Sequence, residues 1–282
     1  MKYMTKVWYE TSQKTDYHVL LKASKQAETF SEEYFKWLYE KKEAAWIKDQ
    51  KEAAEVSFED LYPEEFCVKN LAEYGFSPDK IEAAKKGYFE MREQILQNYD
   101  EICHEFDPVQ EKKIFRRMMH NNIKNLKANL PDEILRKVAD IRVLALNYAS
   151  ADIKKEITAF CRANDRTVDE ASKAYLKECR KAFKKGNIPV FENASFHDCR
   201  IVSCRKKGAD LVLTLDNSGG FTNISQIKFK DCMVIKQDKP LHNAVWLYDE
   251  IYKTDTGYEF HVLLEKGGRI DFIVRATDIE CR

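Results

Sequence analysis

The sequence lacks the short motifs that most often reveal chemistry. Its 282 residues contain no phosphate-binding G-x-x-x-x-G-K-[ST] loop, no G-x-S-x-G nucleophile turn and no C-x-x-C pair of zinc ligands. No motif points to an enzyme of these classes. No metal or other cofactor is therefore predicted.

Long apolar runs and a net charge are also missing. No stretch approaches the ~20 apolar residues of a membrane span, and the opening MKYMTKVWYETSQ has no apolar run of signal-peptide length. Lys+Arg and Asp+Glu both total 47, so no overall field attracts nucleic acid or acidic membranes. We expect a cytoplasmic protein that associates with no membrane and keeps its eight cysteines reduced.

Glycine is scarce and unevenly placed. Three of the nine glycines precede residue 187, where apolar residues recur every three or four positions, and six follow it, where apolar residues alternate. This change predicts an α+β chain, with an irregular helical bundle over 1–187 and a mostly antiparallel β domain over 188–282. We place the boundary at 186–189, where a helix-ending glycine is followed by a proline.

Several helix starts are visible in the first domain. Ser77 and Asp107 each precede a proline, which favours a capped first turn, and Thr167 begins a capping box. The tryptophans of this domain are interpreted as core residues rather than as a stacking platform; they are Trp8, Trp37 and Trp46.

One predicted helix carries a basic flank, which consists of Lys113, Arg116, Arg117, Lys124 and Lys127. Such a flank could contact phosphates. Charge runs on amphipathic helices are usually solvated faces, however, and the neutral charge of the domain favours that interpretation. Nucleic acid is therefore an unlikely partner.

The β domain is predicted to be a series of hairpins, with six or seven strands in a strongly curved sheet or small sandwich. In the last hairpin, a loop at 266–268 pairs Leu264 with Ile270, because a shift by one residue would place an aspartate opposite a leucine. The preceding hairpin, centred on Thr256, is predicted to set Tyr252 beside Phe260.

An aromatic row is predicted on one face of that hairpin. It contains Trp246, Tyr248 and Tyr252, with Glu250 between them. A carboxylate within such a row is hard to explain as core, whereas aromatic residues beside a charge are common interface anchors. We predict these four residues as a partner-binding surface. In the alternative, the helical domain covers the row and Glu250 reaches its edge.

His197, Asp198 and Asp216 are the candidates for catalysis. If the fold brought them together, one histidine and two carboxylates could bind a divalent metal or transfer protons. Their spacing does not require this, and a histidine beside an aspartate at a strand start more often bonds to the backbone of a neighbouring turn. A structural role is the favoured interpretation.

Three segments of the β domain resemble a known family. They are FHDC at 196–199, LTLDNSGGFT at 213–222 and WLYDEIY at 246–252. With the opening MKYMTKVWYE, they make the whole chain similar to a bacterial family known as domain of unknown function 4085 (DUF4085), for which the resemblance implies no activity. The last third is also similar to small β domains of bacterial immunity proteins, which neutralise toxins by binding.

The first functional hypothesis is a non-enzymatic binding or regulatory protein that acts through protein–protein contacts. The second is a metal-dependent or hydrolytic enzyme with a site between the two domains. The third is a nucleic-acid binder that uses the basic flank. The sequence indicates neither the partner nor the oligomeric state.

Overall fold

The computed structural model describes residues 1–63, 77–97, 99, 106–183 and 195–282. Helices precede an eight-stranded antiparallel sheet, which confirms the predicted α+β fold. The chain packs as two compact units, Met1–Val19 with Lys155–Arg282 and Leu20–Lys154. The boundary at 186–189 lies outside the described residues, and the division into 1–187 and 188–282 stays a prediction.

The described helices, in chain order, are α1 Lys6–Ser12, α2 Glu32–Glu55, α3 Phe58–Leu61, α4 Pro78–Gln97, α5 Pro108–Asn129, α6 Asp132–Leu135, α7 Ile141–Ala145 and α8 Ala151–Ala182, with a 3-10 turn at Lys25–Glu28. Helix α5 begins as predicted, because the Asp107 side chain accepts a hydrogen bond from the Val109 amide. The capping box at Thr167 is wrong. This residue lies inside α8, and its hydroxyl donates to the Ala163 carbonyl.

The core of the second unit joins α2, α5 and α7. Its buried members include Tyr34, Leu38, Phe115, Met119 and Val143. Trp37 is not among them, since 52% of it is exposed and it stacks on Tyr34. The interpretation of Trp37 as core is therefore wrong, whereas Trp8 in the other unit is buried.

The large sheet contains β3 Arg200–Lys207, β4 Asp210–Asp216, β5 Gln226–Lys230, β6 Met233–Gln237, β7 Val245–Thr254, β8 Gly257–Glu265, β9 Arg269–Ala276 and β10 Asp278–Cys281; the short strands β1 Lys22–Ala23 and β2 Tyr148–Ala149 pair separately. The spatial order is β10-β5-β4-β3-β7-β8-β9-β6. The sheet curves strongly, because Phe229 of β5 contacts Phe260 of β8 and Phe272 of β9, which are not its neighbours in this order.

Hairpin register is predicted correctly once and incorrectly once. Leu264 pairs with Ile270 in the last hairpin, as predicted. In the preceding hairpin, Tyr252 pairs with Glu259 rather than Phe260, because a two-residue turn closes between Thr254 and Gly257. The hairpin is therefore centred between Asp255 and Thr256 rather than on Thr256, and residues 248–254 of β7 each pair one position earlier in β8 than predicted.

Gly257 fixes that turn. Its φ is +152°, and a Cβ atom there would lie against the backbone of Ala276 and 2.7 Å from the Cα of Thr277. We expect Gly257→Ala to lower the free energy of unfolding by about 3 kcal/mol or more, because backbone atoms cannot give way as a flexible side chain can. Urea unfolding followed by circular dichroism measures the loss.

The matched control is Gly267→Ala. Gly267 has a φ of +57°, but an added Cβ meets nothing within 4 Å. We expect a loss of about 1 kcal/mol from the backbone conformation alone. Equal losses in the two variants would show that the contact with Ala276 and Thr277 is unimportant.

Candidate functional site

The predicted aromatic row is divided between the two faces of the sheet. A β-bulge between Trp246 and Tyr248 shifts the alternation of β7 by one residue. Trp246 is fully buried in the sheet core with Ile251, and its indole Nε1 donates to Asp249 Oδ2 at 2.8 Å. Trp246 therefore does not share the face of Tyr248, contrary to the predicted row. Whether the remaining residues bind a partner stays a prediction.

Glu250 is fully buried beneath the first residues of the chain. Its Oε1 accepts hydrogen bonds from the amides of Tyr3 and Met4, and its Oε2 accepts from the Lys2 amide at 2.7 Å and from the hydroxyl of Tyr252. Four donors thus satisfy the carboxylate without a basic side chain. No partner is needed to explain Glu250, because residues 2–4, which belong to the predicted helical domain, cover it.

Tyr252 belongs to the same arrangement. It is half-buried, and its ring packs against the rings of Tyr175 and His261. Burial and the hydrogen bond to Glu250 raise the pKa of the Tyr252 phenol. Glu250 and Tyr252 therefore both have their partners within the unit. Of the predicted row, Tyr248 is the residue that contacts other surface side chains.

We expect Glu250→Gln to release residues 2–4. A glutamine nitrogen cannot accept the two hydrogen bonds that one carboxylate oxygen accepts, so two donors lose their partner. The free energy of unfolding should fall by roughly 2 to 4 kcal/mol, and amide hydrogen exchange at residues 2–4 should accelerate. The control is Glu10→Gln, on the exposed side of α1. Unchanged exchange at residues 2–4 would contradict this role.

Asp249 is a residue that the sequence prediction missed. It is half-buried as a whole, but burial raises the pKa of its carboxyl group to about 7. The hydrogen bond from Trp246 opposes this rise and the charge of Glu250 adds to it. Burial and the charge of Asp249 together raise the pKa of the Cys281 thiol to about 11. No sequence pattern marks Asp249 as buried, because the β-bulge that turns this residue toward the core cannot be recognised from the sequence.

This carboxyl group makes stability depend on pH. Since its pKa is raised on folding from an ordinary value of 3.8, its neutral form stabilises the folded state below about pH 4, and that contribution is lost as pH rises toward 7. Relative to Asp249→Asn, the wild type should lose about 1 to 3 kcal/mol between pH 4 and pH 8. Urea unfolding at both pH values tests this, with Asp255→Asn in the exposed turn as control. Parallel pH profiles would refute it.

His197 and Asp198 form a pair at the surface. Their Nδ1 and Oδ2 atoms are 3.0 Å apart, and Asp198 has a left-handed φ of +66°. Asp216 instead accepts hydrogen bonds from the amide and hydroxyl of Ser218, which lower the pKa of its carboxyl group. The described parts of the chain hold no group of three or more His, Cys, Asp or Glu residues arranged for a metal ion.

The turn that carries Asp216 nevertheless lies against the His197 segment. A Cβ atom on Gly220 would collide with Cys199 Sγ and lie 3.3 Å from the His197 carbonyl oxygen. Glycine therefore allows the β4–β5 loop to approach this closely. The contact brings Phe221, which is 73% exposed, next to the His197 ring, with centroids 6.5 Å apart.

An aromatic patch results, which we define as Tyr9, His197, Phe221 and Tyr248. The His197 and Tyr248 rings meet edge to face at 5.2 Å, and Tyr9 lies 6.1 Å from Tyr248. Buried Trp8 supports Tyr248 from below at 4.8 Å. The structure thus joins Tyr248 of the predicted row to His197 and Asp198 of the predicted catalytic set, a connection that spacing along the chain did not indicate.

The basic flank lies on the exposed side of α5. Lys113, Arg116, Arg117, Lys124 and Lys127 are all exposed, opposite buried residues such as Phe115. Arg116 lies close to the Tyr39 hydroxyl. This arrangement suits a solvated face as well as a phosphate-contacting one, so phosphate binding by the flank stays a prediction.

Comparisons with known proteins give a family and no function. No helix in the described ranges is both long and apolar enough to span a membrane. Neither the curated proteins nor the solved structures include a match. A family model described as "Protein of unknown function (DUF4085)" matches residues 84–273, which is more than half of the chain and extends across the predicted change from helices to strands. The chain therefore belongs to the DUF4085 family.

Proposed function

We propose that this protein is a non-enzymatic binding or regulatory module, and that the aromatic patch is the surface that contacts its protein partner. The observation that carries this proposal is Phe221, a large apolar side chain that is 73% exposed and adjoins other aromatic rings. Aromatic side chains are enriched at the centres of protein interfaces, where they bury a large area at a small cost in side-chain entropy.

Rigid support from below strengthens the proposal. Tyr248 rests on buried Trp8, and the Asp198 amide donates to the Trp246 carbonyl of the central strand at 2.9 Å. A surface held in this way loses little conformational freedom when a partner binds. Activity as an immunity-like protein, which neutralises a toxin by contact, would be one use of such a surface.

The proposed location is the cytoplasm. The described cysteines, among them Cys161, Cys199 and Cys204, are free thiols. Free thiols are typical of a reducing compartment. Any partner would be a protein found there.

Competition during photo-crosslinking tests the proposal. A photoreactive phenylalanine analogue placed at Phe221 should capture a protein from cells that express this chain, and excess unlabelled wild-type protein should suppress the capture. Unlabelled Phe221→Ser should compete about ten-fold less well, because a central aromatic anchor is removed. Mass spectrometry identifies and quantifies the captured protein.

The matched control is Leu176→Ser, which removes another exposed apolar side chain of the same unit, on α8. This variant should compete as well as the wild type. Circular dichroism verifies that both variants are folded. Equal competition by Phe221→Ser and the wild type would exclude the aromatic patch as the binding surface.

A further inference from the structure

We propose that the aromatic patch receives an arginine side chain of the partner, whose guanidinium group pairs with the Asp198 carboxylate between the rings of His197, Phe221 and Tyr248. This inference rests on the proposed function and specifies the chemistry of the partner. It follows from the charge of Asp198, the positions of the rings and an intramolecular example beside the patch.

The Asp198 carboxylate pairs with a histidine and with no lysine or arginine of the described residues. Its side chain is 48% exposed and contacts the His197 ring. Within the described ranges, no lysine or arginine pairs with it, whereas Asp210 pairs with Lys228 and Asp271 with Lys236. An accessible carboxylate whose partner is a histidine, with no lysine or arginine beside it, favours a cation from outside the chain.

The rings surround this charge with surfaces that also attract cations. Tyr248 lies near Asp198, and burial together with the proximity of Tyr9 and Asp198 raises the pKa of its phenol. His197 bridges Tyr248 and exposed Phe221. A cation placed at Asp198 can therefore approach ring faces as well as the carboxylate, and the two attractions reinforce each other.

The unit already contains an arginine bound in this way. The guanidinium carbon of Arg269 lies 4.7 Å from the centre of the Tyr9 ring, at one end of the patch, while its Nη1 pairs with Glu265 at 2.9 Å. A planar guanidinium group can stack on a ring and still direct its N–H groups to a carboxylate, which a lysine ammonium does less well. The same pairing at Asp198 requires only an arginine from the partner.

The position of Asp198 is fixed before binding. It lies in a turn before β3 with a left-handed φ of +66°, and its amide donates a hydrogen bond to the Trp246 carbonyl. Gly219 allows the β4–β5 loop to pack on the other side, where a Cβ atom would come within 3.3 Å of the Asp198 carbonyl oxygen. An unusual backbone conformation that the surroundings hold in place is typical of binding sites.

Titration of the full chain with N-acetyl-arginine amide tests the inference. We expect saturable NMR shifts at residues 197, 198 and 221 with a millimolar dissociation constant. N-acetyl-citrulline amide, which is nearly isosteric but neutral, and N-acetyl-lysine amide should each bind about five-fold more weakly or worse. Asp198→Asn should abolish the preference for arginine, and asparagine tolerates the left-handed conformation. The control Asp255→Asn should preserve it.

Any of three results would overturn the arginine assignment. They are equal NMR shifts with the citrulline compound, equal affinity for the lysine compound, and an unchanged preference for arginine in Asp198→Asn. The crosslinking competition separates this result from failure of the proposed function. If the analogue at Phe221 still captures a partner but the protein shows no preference for arginine, the aromatic patch remains the binding surface and the arginine assignment is wrong. If Phe221→Ser competes normally, the surface itself is wrong.

Discussion

The buried carboxylate of Glu250 is the constraint on which the first unit depends. A charge removed from water must be met by several donors, and here three successive backbone amides and one phenol meet it. Residues 2–4 present these three amides by wrapping around the carboxylate. The binding of residues 2–4 then fixes the start of α1, and with it the position of Trp8 under Tyr248. The buried carboxylate of Glu250 thus determines the shape of the aromatic patch on the surface of the unit.

The bulge in β7 gives Asp249 and Glu250 opposite environments. The two carboxylates are adjacent in sequence, so they project to opposite faces of the strand. Asp249 accepts one hydrogen bond from the Trp246 indole, and burial raises the pKa of its carboxyl group, whereas Glu250 accepts hydrogen bonds from three backbone amides and one phenol. Without the extra residue before Tyr248, Trp246 and Tyr248 would lie on the same face of the strand. The bulge is therefore a structural feature rather than an irregularity.

The sequence predicts local patterns well and relations between distant segments poorly. The change of periodicity predicts the fold class, and the pairing of Leu264 with Ile270 follows from side-chain matching within a few residues. The register at Tyr252 fails because it depends on a turn that closes at Gly257, where a Cβ atom would collide with the backbone of Ala276 and Thr277. Thr167 fails because capping residues are also tolerated inside a long helix when the hydroxyl bonds back to the preceding turn.

The candidate site could not be predicted for the same reason. Tyr9, His197, Phe221 and Tyr248 come from four separate segments, and none of the segments carries a motif. In a chain with equal numbers of acidic and basic residues, no overall field selects a partner. On the proposed function, specificity arises at a carboxylate that has no lysine or arginine partner and lies beside aromatic rings. Most carboxylates of the sheet have a lysine or arginine of the same unit, as Asp210, Glu259 and Asp278 do. Asp198 differs because it lies in a turn before β3, where its backbone is left-handed and its partner is a histidine. On the proposed function, this turn supplies a localised point of attraction in a chain without net charge.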